Sequence, residues 1–291
     1  MSSPASLTAA AALASTATRL TRAGVEPALR EAEWLLLYIL DTTRAVLYSR
    51  SDRELTDSQA RLLSTAVSRR CARVPLQHIL GDTEFYGLRF MVSPGVLIPR
   101  PETETLVENV VDEFKQRDHP SILDVGTGSG AIAIAVAGSL PSATCVATDL
   151  SREALSVAAS NVRLNGVSDR VRLVRADLLS AFRPGRPFDA LVSNPPYIAS
   201  GDIPGLQPEV RDHDPLLALD GGPDGYRFYR TLLPKATHMI RAGGLLALEI
   251  GDGQGDTVAA MVQDTGAFSD VRVLPDLSSH DRVVLARRTA D

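Results

Sequence analysis

Ser121-Ile122-Leu123-Asp124-Val125 runs directly into Gly126-Thr127-Gly128-Ser129-Gly130 and then into Ala131–Ala137, and no other stretch constrains the fold as strongly. A short apolar run has the length of a buried strand, alternate glycines let the backbone turn sharply, and the Ala/Ile stretch reads as a helix. The rhythm then repeats. Thr144–Thr148, Arg170–Val174, Ala190–Ser193 and Leu245–Ile250 read as strands, while Arg152–Leu164 and Tyr226–Ile240 read as helices. Strands separated by helices predict βαβ units and a parallel sheet covered on both faces. Val271–Leu274 and Arg282–Ala286 are expected to close the chain as a hairpin.

Residues 5–73 follow another period. Leu29, Ala32, Leu36, Ile39 and Leu40 recur at helical spacing, as do Leu62, Leu63, Ala66 and Val67, and Thr56 with Gln59 forms a capping-box signature. Phe85–Val92, with Gly87 placed for a turn, predicts a β-hairpin that ends at Pro94-Gly95. Past Pro99-Arg100-Pro101, the residues Leu106, Val110, Val111 and Phe114 begin a helical period. The expected organisation is a helical domain over 1–73, a hairpin linker over 74–100 and an α/β domain over 101–291. A chain of 291 residues is long enough to bury such cores without staples.

Composition excludes several classes. Two cysteines far apart, Cys71 and Cys145, exclude a cysteine-rich zinc module and fit reduced thiols. The five histidines are dispersed without ligand spacing, so no metal is expected. No apolar run approaches the ~20 residues that span a bilayer. With 30 Lys+Arg against 35 Asp+Glu the net charge is −5, which leaves no basic excess for a phosphate backbone, and no direct nucleic-acid binding is expected. Before Glu26 there is no acidic residue, and Ser, Thr and Ala accompany Arg19 and Arg22. That composition suits the first helix of an ordinary domain or an organellar transit peptide. A cytoplasmic location is expected, or an organellar matrix in the second case.

Two constellations carry chemistry. At the first crossover, Gly126–Gly130 brings backbone N–H groups and a helix N-terminus close to a ligand. Asp149 ends the next strand, 23 positions after Gly126 (149 − 126), where a carboxylate can accept hydrogen bonds from both hydroxyls of a ribose. The ligand is expected to contain a nucleoside. Dinucleotide sites use Gly-x-Gly-x-x-Gly, whereas the spacing here is Gly-x-Gly-x-Gly. The second constellation is Asn194-Pro195-Pro196-Tyr197, at the end of the fourth strand. Consecutive prolines lack N–H groups and force Asn194 into an extended conformation. An NH₂ group on a conjugated carbon is a poor nucleophile, but the Asn194 side-chain oxygen and the Pro195 carbonyl can hold both of its N–H bonds and aim it, with Tyr197 as a wall.

The glycine spacing resembles the nucleoside loop of S-adenosylmethionine-dependent methyltransferases, a superfamily that places adenine-lining groups where Asp177 and Leu178 stand. Asn194–Tyr197 resembles the amino-methyltransferases of the Asn/Asp-Pro-Pro-aromatic class. That motif alone leaves two substrates open: the exocyclic N6 of adenine in nucleic acid, and the side-chain amide of a glutamine. Three further stretches favour the second. Thr83–Gly87 with Val96–Glu104, Gln207–Val210 with Ala218–Gly225, and Asp276-Leu277 through Asp281–Val284 are similar to the PrmC/HemK family over residues 25 to 287. Leu97 stands where an apolar neighbour of the methyl group is expected, and Tyr226 replaces the more usual leucine.

The resemblance implies a Rossmann-like S-adenosylmethionine-dependent methyltransferase sheet with a small helical N-terminal domain. It implies N5 methylation of the glutamine in the Gly-Gly-Gln motif of peptide chain release factors, the alternative being N6-adenine methylation of DNA or RNA. Asn194, Pro195, Pro196 and Tyr197 are then the expected catalytic residues. Gly126, Thr127, Gly128, Ser129, Gly130, Asp149, Asp177, Leu178 and Asn194 are the expected cofactor-binding residues. The release factor is the expected partner, contacted by the helical domain.

Overall fold

In the computed structural model, which describes residues 7–290 apart from Pro184 and Arg186, helices and strands fall into two compact units. The first comprises Met1–Gly81 with Pro208–His213, and the second Asp82–Gln207 with Asp214–Asp291. Residues 1–6, the start of the stretch weighed as a targeting segment, lie outside the described residues.

The first unit is built from α1 (Ala9–Arg22), α2 (Ala28–Leu40), α3 (Arg44–Ser49), α4 (Asp57–Cys71) and α5 (Leu76–Leu80). Thr56 Oγ1 accepts from Gln59 N at 3.2 Å while Gln59 Oε1 accepts from Thr56 N at 3.0 Å, so the expected capping box starts α4. The core takes Leu20 from α1, Leu35 and Leu36 from α2, Leu63 and Val67 from α4, and Leu76 from α5. Leu29 and Leu62, expected on the buried stripes, face solvent, because the helices are rotated to put Leu35 and Leu63 inward. Arg70 is buried between two carboxylates. Its Nε lies 2.5 Å from Glu31 Oε2 and its Nη1 2.8 Å from Glu209 Oε1, and Arg73 Nη2 adds a 2.7 Å pair to Glu209 Oε2.

The second unit opens with β1 (Asp82–Phe85) and β2 (Leu88–Met91), whose two-residue turn places Tyr86 and Gly87 at φ 51° and 70°. Positive φ at both turn residues matches the right-handed twist of a hairpin. α6 (Glu104–Phe114) buries Leu106, Val110 and Phe114. There follow β3 (Ser121–Val125), α7 (Ala131–Ser139), β4 (Thr144–Asp149), α8 (Arg152–Leu164), β5 (Val171–Arg175) and β6 (Phe188–Ser193). The turn α9 (Pro208–Arg211) belongs to the first unit. α10 (Leu216–Leu219), α11 (Arg227–Ala236), β7 (Ile240–Glu249), α12 (Gly255–Asp264), β8 (Phe268–Pro275) and β9 (Asp281–Arg288) complete the chain.

Seven strands form one sheet in the order β5-β4-β3-β6-β7-β9-β8, parallel through β7, with β9 and β8 antiparallel. Side chains alternate between two apolar layers, as period-2 geometry requires. Ile122, Ala190, Val192 and Leu245 meet α6 and α7 on one face, while Leu123, Leu191, Leu246 and Leu248 meet α11 and α12 on the other. The helix expected over Tyr226–Ile240 ends at Ala236, and Ile240 begins β7. The strand starts early because Ile240 pairs with Phe188 of β6, whose N–H donates to Met239 O at 2.6 Å; past a register shift, a Cβ on Gly244 would lie 2.7 Å from the Asp189 carbonyl oxygen. Among the described residues no helix is long and apolar enough to cross a membrane.

The chain lays down β3, β4 and β5 in one direction and then returns to place β6 on the other side of β3. Such a reversal leaves a crevice beyond the carboxyl ends of the two strands, where open α/β sheets bind ligands.

Candidate active site

Gly126–Gly130 leaves the end of β3 and Asn194 leaves the end of β6, so both constellations flank that crevice. The crevice holds a cleft of about 160 Å³ that is partly open to solvent. Gly126, Thr127, Gly128 and Ser129 line one wall, Asp149, Asp177 and Leu178 a second, and Asn194, Pro195 and Pro196 a third. Gly130 and Tyr197 stand outside this lining.

All three loop glycines adopt positive φ, at 77°, 57° and 87°. A Cβ on Gly126 would meet nothing within 4 Å, and one on Gly128 only Val96 Cγ2 at 4.0 Å, so this backbone is open to a ligand. Gly130 differs: its absent Cβ makes room for Ile134 Cδ1 and Ala158 Cβ, which would stand at 2.8 and 3.3 Å. Beneath the loop, Asp124 is fully buried, accepts from Thr127 Oγ1 at 2.6 Å and from Ala133 N at 3.3 Å, and has no partner for Oδ1. Burial pushes its carboxyl up to about 7.

Asp149 Oδ2 accepts from Gly128 N and Oδ1 from Ser151 N, both at 2.8 Å. Burial raises its pKa, and these backbone donors oppose that rise. Each carboxylate oxygen offers two acceptor sites, so one on each oxygen remains after these bonds. Asn161, buried in α8, ties the loop to the hairpin: its Nδ2 donates to Ser129 O at 2.9 Å and to Met91 O at 3.0 Å, and its Oδ1 accepts from Met91 N at 2.7 Å.

On the third wall, Ser193 Oγ donates to Val125 O at 2.7 Å and pins the two strand ends together. Asn194 Nδ2 donates to Thr103 Oγ1 at 3.1 Å. Tyr197 turns its hydroxyl away from the cleft toward Glu249 Oε1 at 3.4 Å, and burial, then Glu249, pushes the phenol up to about 12. The Tyr197 carbonyl accepts from Gln254 Nε2 at 3.0 Å. Gly225 packs so closely that a Cβ would lie 2.5 Å from that carbonyl oxygen, which gives the Asp220–Gly225 loop its need for glycine.

Residues 11–81 match the PrmC N-terminal domain, and residues 101–205 the methyltransferase small domain. A release factor glutamine methyltransferase of Moorella thermoacetica is 47% identical over 277 residues, covering 95% of this chain and 97% of that one. The protein of the same name from Bradyrhizobium diazoefficiens is 42% identical, covering 94% and 92%. The chain belongs to the release factor glutamine methyltransferase family. A methyltransferase from Pyrococcus furiosus shares the fold, with TM-score 0.53 at 19% identity over 81% of this chain and 100% of that one.

For this release factor glutamine methyltransferase family member, sequence reasoning missed Asn161, Thr103 and Glu249. Thr103 lies within the Val96–Glu104 stretch but carries no chemical signature of its own. Glu249 had one: it is a carboxylate inside the otherwise apolar strand Leu245–Ile250, and it is 1% exposed.

Proposed function

We propose that this chain transfers a methyl group from S-adenosylmethionine to the side-chain amide nitrogen of the glutamine in the Gly-Gly-Gln motif of peptide chain release factors, and so modulates translation termination. One observation carries the reading: Asn194 and Pro195 line the same cleft as the open glycine loop and Asp149. Relatives matching nearly end to end bear the name release factor glutamine methyltransferase. Their length includes the helical unit, which we assign to contact with the body of the release factor.

The residues present fit the cofactor. Gly126 and Gly128 leave space against the backbone, and Asp149 keeps an acceptor site on each oxygen for a ribose. Asp177 and Leu178 line the same cleft, and we assign them to the adenine. S-adenosylmethionine supplies a methyl group already activated on a positively charged sulfonium. The chain's task is positioning and exclusion of water. The Asn194 oxygen and the Pro195 carbonyl accept the two N–H bonds of the amide and aim its nitrogen, while apolar Val96, Leu97 and Phe228 dry the cleft. The amide nitrogen becomes acidic as it gains the methyl, and its proton leaves to water, so the scheme requires neither a general base nor a metal. The acidic balance of −5 suits a protein substrate, and we assign the enzyme to the cytoplasm.

Mass spectrometry of release factor incubated with enzyme and S-adenosylmethionine is expected to find one methyl on the Gly-Gly-Gln glutamine. Asn194→Ala is expected to lower kcat about 100-fold or more while cofactor Kd changes less than about threefold. Labelled transfer to DNA or RNA, with none to release factor, would overturn the reading.

A further inference from the structure

At and behind the third wall, where Thr103 also lines the cleft, lies a buried polar cluster that the reaction as described does not use. Glu249, 1% exposed at the end of β7, is approached by the Tyr197 hydroxyl at 3.4 Å and faced by the Thr103 hydroxyl. Its Oε2 is buried and accepts no hydrogen bond. Thr103 in turn receives Asn194 Nδ2 at 3.1 Å. Three side chains from separate elements thus connect a buried carboxyl to the carboxamide that lines the cleft.

An asparagine carboxamide is nearly symmetric in shape, and its two ends are chemical opposites, one accepting and one donating. Only the acceptor end can hold an NH₂ group. From the Thr103 contact alone either end fits, since a hydroxyl accepts or donates. The carboxylate removes that freedom. An ionised carboxylate only accepts, so it draws the Thr103 proton toward itself, leaves the Thr103 lone pairs facing Asn194, and thereby selects Nδ2 as the inner end.

The geometry points to Glu249 as a positioning residue that, through Thr103, holds the Asn194 oxygen toward the cleft and so makes the site select an NH₂ donor. This rests on the assignment of Asn194 under Proposed function. Tyr197 shares the carboxylate, which ties the ring of the same motif to the same anchor.

The bias is lost when the carboxyl is protonated, because it can then donate to Thr103 and Thr103 can donate to Asn194. Burial pushes Glu249 up to about 7; Thr103, Arg282 and Tyr197 lower it and Glu102 raises it. Arg282 is bound to Asp276 at 3.1 Å, and the Tyr229 hydroxyl is committed to the Glu249 backbone carbonyl at 2.7 Å. Glu249 is thus the group in this cluster placed to switch near neutral pH, with the ionised form active above it.

The test is kcat against pH at saturating cofactor, with full-length enzyme and release factor. Wild type is expected to lose kcat on the acid side with an apparent pKa near 7. Glu249→Gln, whose amide donates as well as accepts and does not ionise, is expected to lower kcat about twofold or more and to abolish that acid limb. Thr103→Val is expected to lose about tenfold and Thr103→Ser less than about threefold, with cofactor Kd nearly constant in both. Combining Glu249→Gln with Thr103→Val should cost no more than the worse single change. An unaltered acid limb and near-normal kcat in Glu249→Gln would overturn the inference, as would equal kcat in Thr103→Val and Thr103→Ser. If Glu249→Gln fails to fold, the Thr103 pair decides. Failure of the underlying reading looks different: Asn194→Ala itself would then keep its kcat.

Discussion

Asp124 shows how a single side chain beneath the glycine loop sets a pH dependence. Its carboxyl titrates near 7 in the fold against 3.8 for an ordinary aspartate, because burial disfavours the charge. Between those values the folded chain binds more protons than the unfolded one. Stability therefore falls as pH rises from about 4 to 7, with the contribution full below that window and lost above it. Asp124→Asn is expected to stabilise the cofactor-free protein at pH 8 by on the order of 3 kcal/mol and to change little at pH 4. Thermal unfolding of both proteins at the two pH values checks this, and an equal shift at both would contradict it. At this scale the sequence announces ligand-facing residues better than supporting ones. Gly126, Gly128, Asp149 and Asn194 were legible because their chemistry needs particular residue types at particular spacings. Thr103, Asn161 and Glu249 act through neighbours distant in the chain, and that proximity exists only after folding.

The elements around the site divide labour that the Gly-x-Gly-x-Gly pattern presents as uniform. Gly130, at φ 87°, is a packing glycine: a methyl there would press on Ile134 at 2.8 Å and Ala158 at 3.3 Å. Strain and overpacking together predict a loss of about 2–4 kcal/mol for Gly130→Ala. Gly128 lines the cleft, with φ 57° and open space beyond it. Gly128→Ala is expected to cost about 1 kcal/mol of stability and at least about tenfold in cofactor affinity. Urea unfolding beside calorimetric titration with S-adenosylmethionine separates the two effects, and equal stability losses would contradict the division. Strands and crossovers of the sheet were legible because both apolar faces repeat every second residue. The α12 helix was not: Gly251 and Gly253 precede it and Gly255 opens it, which masks its start, although Val258 and Val262 supply its buried face. The end of α11 was misread for the complementary reason, since Met239 and Ile240 continue an apolar run across a change of structure.

Across the whole chain, the helical unit is assembled from two separated segments, and Arg70 is where they meet. Its side chain is 5% exposed and shared between Glu31 and Glu209. Arg70→Met strands Glu31 beside an apolar side chain, leaves Glu209 with Arg73 alone, and is expected to cost about 3 kcal/mol in urea unfolding. Lys115→Met breaks an exposed pair with Asp112 and should leave the midpoint unchanged. Equal effects would show that the buried network contributes nothing. The periodicity of residues 5–73 announced helices, yet nothing local to Gln207–Val210 indicates that its carboxylate pairs with Arg70, 139 residues earlier (209 − 70). The chain leaves that unit at Gly81, re-enters it at Pro208 and leaves again at His213. Inheritance is constrained accordingly. A single recombination crossover at the codon for Gly81 would deliver Arg70 and Arg73 from one parent and Glu209 from the other, so the helical unit can be exchanged between relatives intact only by three crossovers, one at each of those boundaries.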